Sequence, residues 1–487
     1  MVERMLQFVR LEQRQPDKRA AEARRGDWNE VYNQFKPADA ADQASRCSQC
    51  GVPFCSVHCP LNNNIPDWLK LTAEGRLEEA YEVSAATNTF PEICGRICPQ
   101  DRLCEGNCVI EKGFESVTIG AVEKYVTDTA WEKGWVQPPR PVRERPQSIG
   151  IIGAGPAGLA AAERLRVLGY QVHVYDRYDR VGGLMIYGIP SFKLEKEVVL
   201  RRHAQFEQGG IHFHLNCAIG RDVTLDALRA RHAALLVATG VYRSRDIDVP
   251  GTQLPGVVAA LDYLTASNRQ GLGDTVPEFE SGALNAAGKR VIVVGGGDTA
   301  MDCVRTAIRQ GATAVTCLYR RDKANMPGSL REVKNAEEEG VHFEWLAAPD
   351  AFEGVGHVQG VRSLRMHLGL PDATGRQQVE PIPGSAFNQP ADLVIKALGF
   401  DPEDLPAMFD EPALGVSRWG TLKIDHRTMM TALPGVFAAG DIVRGASLVV
   451  WGIRDGRDAA DQMHTFIEAQ QALAVAAGSG AKPMAAE

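Results

Sequence analysis

The chain has 487 residues, 44% of them hydrophobic and 23% charged, with a formal net charge of -8 at pH 7. At roughly 150 residues per domain it has room for about three buried cores, and a composition this ordinary excludes a mainly disordered protein. The negative net charge provides no broad cationic field, which argues against nucleic acid or an anionic membrane as partner.

The first residues, MVERMLQFVRLEQRQPDKR, are charged throughout and lack the apolar core of a secretory signal. No later run reaches the ~18 uninterrupted apolar residues of a membrane-spanning helix. A cytoplasmic protein with reduced cysteines is expected. Of the eleven cysteines, eight lie between Cys47 and Cys108, leaving only Cys217, Cys303 and Cys317 elsewhere.

From Met1 to about Gln137 there are no alternating β-rich runs. Segments such as IPDWLKLTAEGRLEEAYEVSAAT predict amphipathic helices, with Pro66 suited to a first turn. Cys47, Cys50, Cys55 and Cys59 form one run, followed by Pro60, and Cys94, Cys98, Cys104 and Cys108 form a second. Thiolates are soft ligands, and eight suffice for two four-thiolate sites, so two 4Fe-4S clusters are expected. In two-cluster ferredoxins the cysteine before proline ligates the other cluster. The same exchange here gives Cys47, Cys50, Cys55 and Cys108 for one site and Cys59, Cys94, Cys98 and Cys104 for the other. The alternative is a pair of zinc sites, which the irregular intervals disfavour. A thiol-disulfide pair at Cys47 and Cys50 would leave six cysteines without a task.

QPPRPVRERPQ, from Gln137 to Gln147, reads as a linker. The segment that follows, SIGIIGAGPAGLAAAERLRVLGYQVHVYD, predicts strand, glycine turn, helix and strand. In its GAGPAG loop, Gly153 permits the tight turn, Gly155 admits a pyrophosphate beside Pro156 and Ala157, and Gly158 allows close helix packing. Asp176, at the end of the second strand, can accept a ribose hydroxyl. A second such unit begins at Lys289, with Gly295, Gly296, Gly297, Asp298 and Thr299 in its loop and Ala300 for the third glycine. Its second strand ends in Arg320 and Arg321 rather than an acid, which points to a 2′-phosphate and hence NADPH. The alternative for these arginines is a solvated charge pair beside Asp322.

ADLVIKALGF and LPGVFAAGD read as strands returning to the two sheets, and the end, AQQALAVAAGSGAKPMAAE, as a frayed tail. His212 and His214 fall on one strand face and read as surface or ordinary packing. The AEEEG run after Lys334 reads as a solvated helix end, and Cys303 as packed rather than redox active.

GVFAAGD, Gly435 to Asp441, resembles the late motif of two-dinucleotide flavoproteins, whose aspartate contacts the ribityl and pyrophosphate region of FAD. ALLVATG, with Thr239 and Gly240, and VIKALGF resemble their crossover segments. With the cysteine-rich front end, RVGGLMIYGIPSFKLEK, GGGDTAMDC, YRRDKANMPG and GVFAAGDIVRGASLVVWGIRDGR, the chain resembles the small (β) subunit family of bacterial NADPH-dependent glutamate synthase over roughly residues 4 to 467. It is also similar to the N-terminal part of dihydropyrimidine dehydrogenase and to flavin subunits of other electron-transfer complexes.

The resemblance implies an α/β fold: two nested Rossmann-like dinucleotide-binding domains for FAD and NADPH, glutathione-reductase-like, preceded by an α-helical two-cluster iron-sulfur domain. The implied domains are 1–145 for iron-sulfur, 146–285 with 396–470 for FAD and 286–395 for NADPH, and 471–487 is the flexible tail. NADPH would deliver hydride to FAD, and electrons would pass through the clusters to FMN on a large glutamate synthase (α) subunit. There, glutamine-derived ammonia and 2-oxoglutarate would become glutamate, so a hetero-oligomer is expected. The sequence has no N-terminal Met-Cys and no room for a further (β/α)8 barrel, which fits a subunit that supplies reducing equivalents. Hydride transfer between bound cofactors needs no protein nucleophile, so no catalytic side chain is expected. By resemblance Gly182, Gly183 and Tyr187 to Pro190 line the flavin side, Asn325 to Gly328 line the nicotinamide side, and Glu123 is a possible substitute for Cys94 as a cluster ligand. The alternatives are a flavin subunit of a pyrimidine-reducing or ferredoxin-linked complex, and a non-catalytic redox-sensing docking module.

Overall fold

In the N-terminal region the helices Pro37–Ser45, Ile65–Ala73 and Pro91–Ile97 each carry proline in the first turn, where its missing N–H costs nothing. With Leu77–Ala85 and Ile119–Glu132 they enclose Trp68, Leu69, Ala80, Val122 and Val126. Trp68 Nε1 donates to Asn63 Oδ1 at 2.8 Å, so the buried indole is satisfied. The structure is a computed structural model that describes residues 5–372 and 377–478.

Residues 135–147 carry neither helix nor strand and lead into two parallel sheets. The first has the order Val436–Ala438, Ala234–Val237, Ser148–Ile152, Gln171–Tyr175, Ile211–His214. The second has the order Val257–Ala259, Leu393–Lys396, Arg290–Val294, Ala314–Tyr319, His342–Trp345. In both, the strand feeding the glycine loop is central, and the chain leaves the first sheet, builds the second and returns through Val436–Ala438. The nested α/β architecture is the expected one. Among the described residues, no helix is long and apolar enough to cross a membrane.

Several boundaries differ from expectation. Val257–Ala259 pairs with Leu393–Lys396, and Ala260, Tyr263 and Leu264 of the following helix lie in the second core, so that unit begins near residue 257 rather than 286. An antiparallel sheet of Ala347–Glu353, Gly360–Pro371, Gln377–Pro381 and Phe387–Pro390 was not foreseen. The expected tail is helical to Gly478 as part of Val449–Gly478, while 479–487 lie outside the described residues. Glu339 in the AEEEG run is fully buried, not solvated, because Arg305, Arg309 and Arg24 surround it at 2.8, 2.6 and 3.3 Å. Against burial, which would raise it, the Arg305 and Arg309 guanidiniums hold its carboxyl down to about 2.

Candidate cofactor sites

At the first glycine loop the chain approaches itself too closely for side chains. A Cβ on Gly153 (φ 112°) would stand 2.3 Å from the Ala238 carbonyl oxygen, and one on Gly158 would stand 1.9 Å from that of Gly153. Gly155 caps the helix Pro156–Val167 and faces open space. Asp176 accepts from the backbone N–H of Ala154 at 2.7 Å and of Tyr178 at 2.8 Å, which fixes the loop against the second strand.

These residues form one cavity with segments far along the chain. Gly153, Gly155, Pro156, Ala157 and Asp176 line it together with Thr239, Gly240, Gly440 and Asp441. Gly182 and Gly183 close against the same loop, Gly182 N–H donating to Ala154 at 2.8 Å. Asp441 accepts from Ser447 Oγ at 2.6 Å, and burial pushes its carboxyl up. Thr239 Oγ1 is buried without a partner among the described residues, a polar atom left for a ligand in a cradle that glycines keep open. A dinucleotide with hydroxyls and a pyrophosphate fits this donor set.

Sequence reasoning missed three contributors. Tyr242 lines this cavity and its continuation, where the Arg177 guanidinium lies 4.9 Å from its ring centre and 2.9 Å from Glu403. Gly452 and Gly456 let the helix Val449–Gly478 lie on Pro156–Val167, and a Cβ on Gly456 would meet the Ala157 carbonyl oxygen at 2.0 Å. Their Gly-x-x-x-Gly spacing was the available signal.

The second loop repeats the geometry. A Cβ on Gly295 (φ 144°) would lie 2.3 Å from the Ala397 carbonyl oxygen and one on Gly296 2.4 Å from the Tyr319 ring, whereas Gly297 faces open space at the start of Asp298–Arg309. Asn325 to Gly328 fold onto it: Gly328 N–H donates to Gly296 at 2.9 Å, and Ser329 N–H to Asp298 Oδ1 at 2.9 Å. Thr299 follows in the first helical turn. Arg320 is exposed, and Arg321 is half-buried with Nη2 3.4 Å from the Gln377 carbonyl. Asp322 accepts from Asn325, at 2.8 Å from its side chain, so among the described residues neither arginine is neutralised by it.

The thiols fall into two groups. Cys59, Cys94, Cys98 and Cys104 line one cavity with Glu123, Asn88 and Trp68. Burial pushes the Cys59 thiol up to about 11, raises Cys104, and pushes the Glu123 carboxyl up to about 8, with Ser84 and Asn88 each 3.3 Å away. Cys94 is raised by its bond to Cys98 and by burial. Cys47 and Cys55 are raised by burial, Cys55 to about 12, with Cys108 close enough to both to add to the effect and Cys50 close to Cys47. Gln49, at φ 50°, directs its side-chain amide to Cys47 Sγ at 3.4 Å.

Buried thiols grouped without a cation lack the charge that would ionise them, and an iron-sulfur core supplies it. Among the described residues, no three His, Cys, Asp or Glu side chains are arranged to hold a single metal ion, whereas a cluster binds its thiolates at separate irons. Cys303 is packed in the second core. His212 and His214 are exposed, as expected, and stack on or bond to His173.

Residues 24–135 match the family model of dihydropyrimidine dehydrogenase domain II, 4Fe-4S cluster, and residues 147–465 that of pyridine nucleotide-disulphide oxidoreductase. The chain is thus an oxidoreductase of the pyridine-nucleotide class with an iron-sulfur domain in front. A glutamate synthase (NADPH) small chain from Azospirillum brasilense is 67% identical over 475 residues, 97% of this chain and 98% of that one. The chain belongs to the glutamate synthase small-chain family. An Escherichia coli K12 chain described as the oxidoreductase AegA is 49% identical over 453 residues, 92% of this chain and 68% of that one. The solved structure of Mycobacterium tuberculosis FprA in complex with NADPH shares the fold, with TM-score 0.57 and 20% identity over 70% of this chain and 88% of that one.

Proposed function

We propose that this chain is the NADPH-oxidising subunit of a cytoplasmic glutamate synthase, a hetero-oligomer whose large subunit carries FMN and forms glutamate from glutamine and 2-oxoglutarate. FAD converts the two-electron hydride chemistry of NADPH into single electrons that two 4Fe-4S clusters can accept. The first glycine loop with Asp176, Gly182, Gly183, Thr239, Gly240, Gly440 and Asp441 would hold FAD. The second, with Asp298, Thr299, Arg320 and Arg321, would hold NADPH. Cys47, Cys50, Cys55 and Cys108 would hold one cluster, and Cys59, Cys94, Cys98 and Cys104 the other, with Glu123 as the possible substitute for Cys94. The corresponding domains are iron-sulfur to about 145, FAD at 146–256 and 397–470, and NADPH between them.

One observation carries the route. Val449 lines the flavin cavity and Val450, its chain neighbour, lines the cavity of Cys59, Cys94, Cys98 and Cys104. Adjacent residues of one helix thus wall both cavities, which suits direct electron transfer. Exposed apolar side chains stand along the first thiol run and beside Cys108: Val52 and Phe54 between Cys50 and Cys55, Val57 before Cys59, and Val109. Such a patch supports docking of the acceptor protein there.

The test is anaerobic purification with the partner and an assay of NADPH oxidation that requires both glutamine and 2-oxoglutarate. The expected result is an FMN-bearing large subunit with that activity. Val52→Asp should weaken the complex by about tenfold or more while NADPH still bleaches the flavin. An intact complex in that variant places the docking face elsewhere. The similarity to AegA favours one second reading, in which the same pathway serves another acceptor, and a different co-purifying partner would establish it.

A further inference from the structure

The short helix Gln100–Arg102 lies in sequence between Cys98 and Cys104, yet it packs on the second dinucleotide loop. Arg102 Nη1 donates to the Pro327 carbonyl at 2.6 Å, and Nη2 stands 3.5 Å from Asp298 Oδ2. Contacts flank it on both sides: Arg331 donates to Gln100 Oε1 at 2.5 Å, and Ser329 Oγ lies 3.5 Å from Asp101 Oδ1. The iron-sulfur domain thereby delivers a cation to the loop that begins Asp298–Arg309.

Asp298 creates an electrostatic problem for a nucleotide on this loop. The free N–H groups after Gly297 attract a pyrophosphate, while a carboxylate in the same turn repels it. Arg102 offsets that charge. A guanidinium has five N–H donors, of which this one spends one on Pro327 and turns Nη2 toward Asp298, and the side chain remains 45% exposed. The remaining donors match phosphate oxygens, at a place distinct from Arg320 and Arg321 at the strand end.

We propose that Arg102 is a nucleotide-binding residue, pairing with the pyrophosphate of the nicotinamide nucleotide across the domain boundary. The proposal rests on the second glycine loop being the NADPH site. It makes that site complete only when the iron-sulfur domain is docked, and it ties the segment between Cys98 and Cys104 to nucleotide occupancy.

The test is calorimetric titration of the holoenzyme and of its Arg102→Ala, Arg102→Lys and Arg321→Ala variants with two probes, NADP+ and 2′-AMP, the second of which has no pyrophosphate. Arg102→Ala should weaken NADP+ by about tenfold or more and leave 2′-AMP unchanged, with partial recovery in Arg102→Lys. Arg321→Ala should weaken both. Wild-type NADP+ affinity in Arg102→Ala overturns the proposal, as does an equal loss of both probes, which marks a structural role. If neither Arg321→Ala nor an Arg320→Ala variant weakens either probe, the nucleotide is not on this loop and the parent reading fails instead.

Discussion

His232 Nδ1 lies 2.6 Å from Ser148 Oγ and Nε2 3.0 Å from the Tyr175 hydroxyl, one ring nitrogen donating and the other accepting in the neutral imidazole, with the His173 ring 5.3 Å away. Burial, then His173, Arg231 and His214, hold its pKa down to about 4. Because the folded value lies below the ordinary 6.5, the unfolded chain binds the extra proton between pH 6.5 and 4, and stability falls as pH falls through that window. The expected loss from this group is on the order of 2 kcal/mol. His232→Gln should flatten the acid limb of denaturant unfolding relative to the parent, and an unchanged limb would refute the assignment. The position was not legible beforehand, because the groups that desolvate His232 come from other strands. Glu339 is the same lesson with a charge. A run of glutamates at a helix end reads as solvated until Arg24, 315 residues earlier in the chain, is seen to reach it.

At the scale of elements, the two helices Pro156–Val167 and Val449–Gly478 meet backbone to backbone at Gly456. Gly456→Ala inserts a methyl where the Ala157 carbonyl stands, and overpacking of this kind costs about 1–3 kcal/mol. The displaced helix carries Val449 and its neighbour Leu448 out of the wall of the cavity proposed for the flavin. The purified variant should therefore show a flavin-to-protein ratio well below that of the parent while still binding 2′-AMP, and full flavin occupancy would show that the helix contact does not shape the site. The glycine-loop units were legible because strand, turn and helix occupy one continuous segment with a known period. Val257–Ala259 was not. It has three half-buried residues, and its membership of the second sheet exists only as pairing with a strand some 135 residues later.

Across the whole molecule, buried ion pairs lock the domains together. Arg202, on Lys196–Gln208, grips Glu92 of the iron-sulfur domain through two 2.8 Å bonds, with the side chains 6% and 0% exposed. Lys193 bonds Asp302 of the second unit at 2.8 Å, and Arg24 stands 3.3 Å from Glu339, with side chains 2% and 0% exposed. Removing one member of such a pair strands the other charge in a low dielectric. Glu92→Ala should cost about 3–5 kcal/mol and separate the unfolding of the iron-sulfur domain from that of the flavin domain in calorimetry, and Arg202→Met in the same chain should recover part of the loss. A single unchanged transition would mean that the pair does not hold the domains.

The sequence by itself determined the parts whose chemistry is local: two thiolate runs, two glycine turns opening helices, an acid at one strand end and arginines at the other. Each depends on residue types at short spacing, and backbone geometry does the rest. Tertiary structure decided which parts meet. That Val449 and Val450 face two different cavities and that Arg102 reaches Asp298 are contacts set by how helices and sheets close-pack. Close packing depends on the shape of every neighbouring side chain, so these contacts leave no periodic trace along the chain.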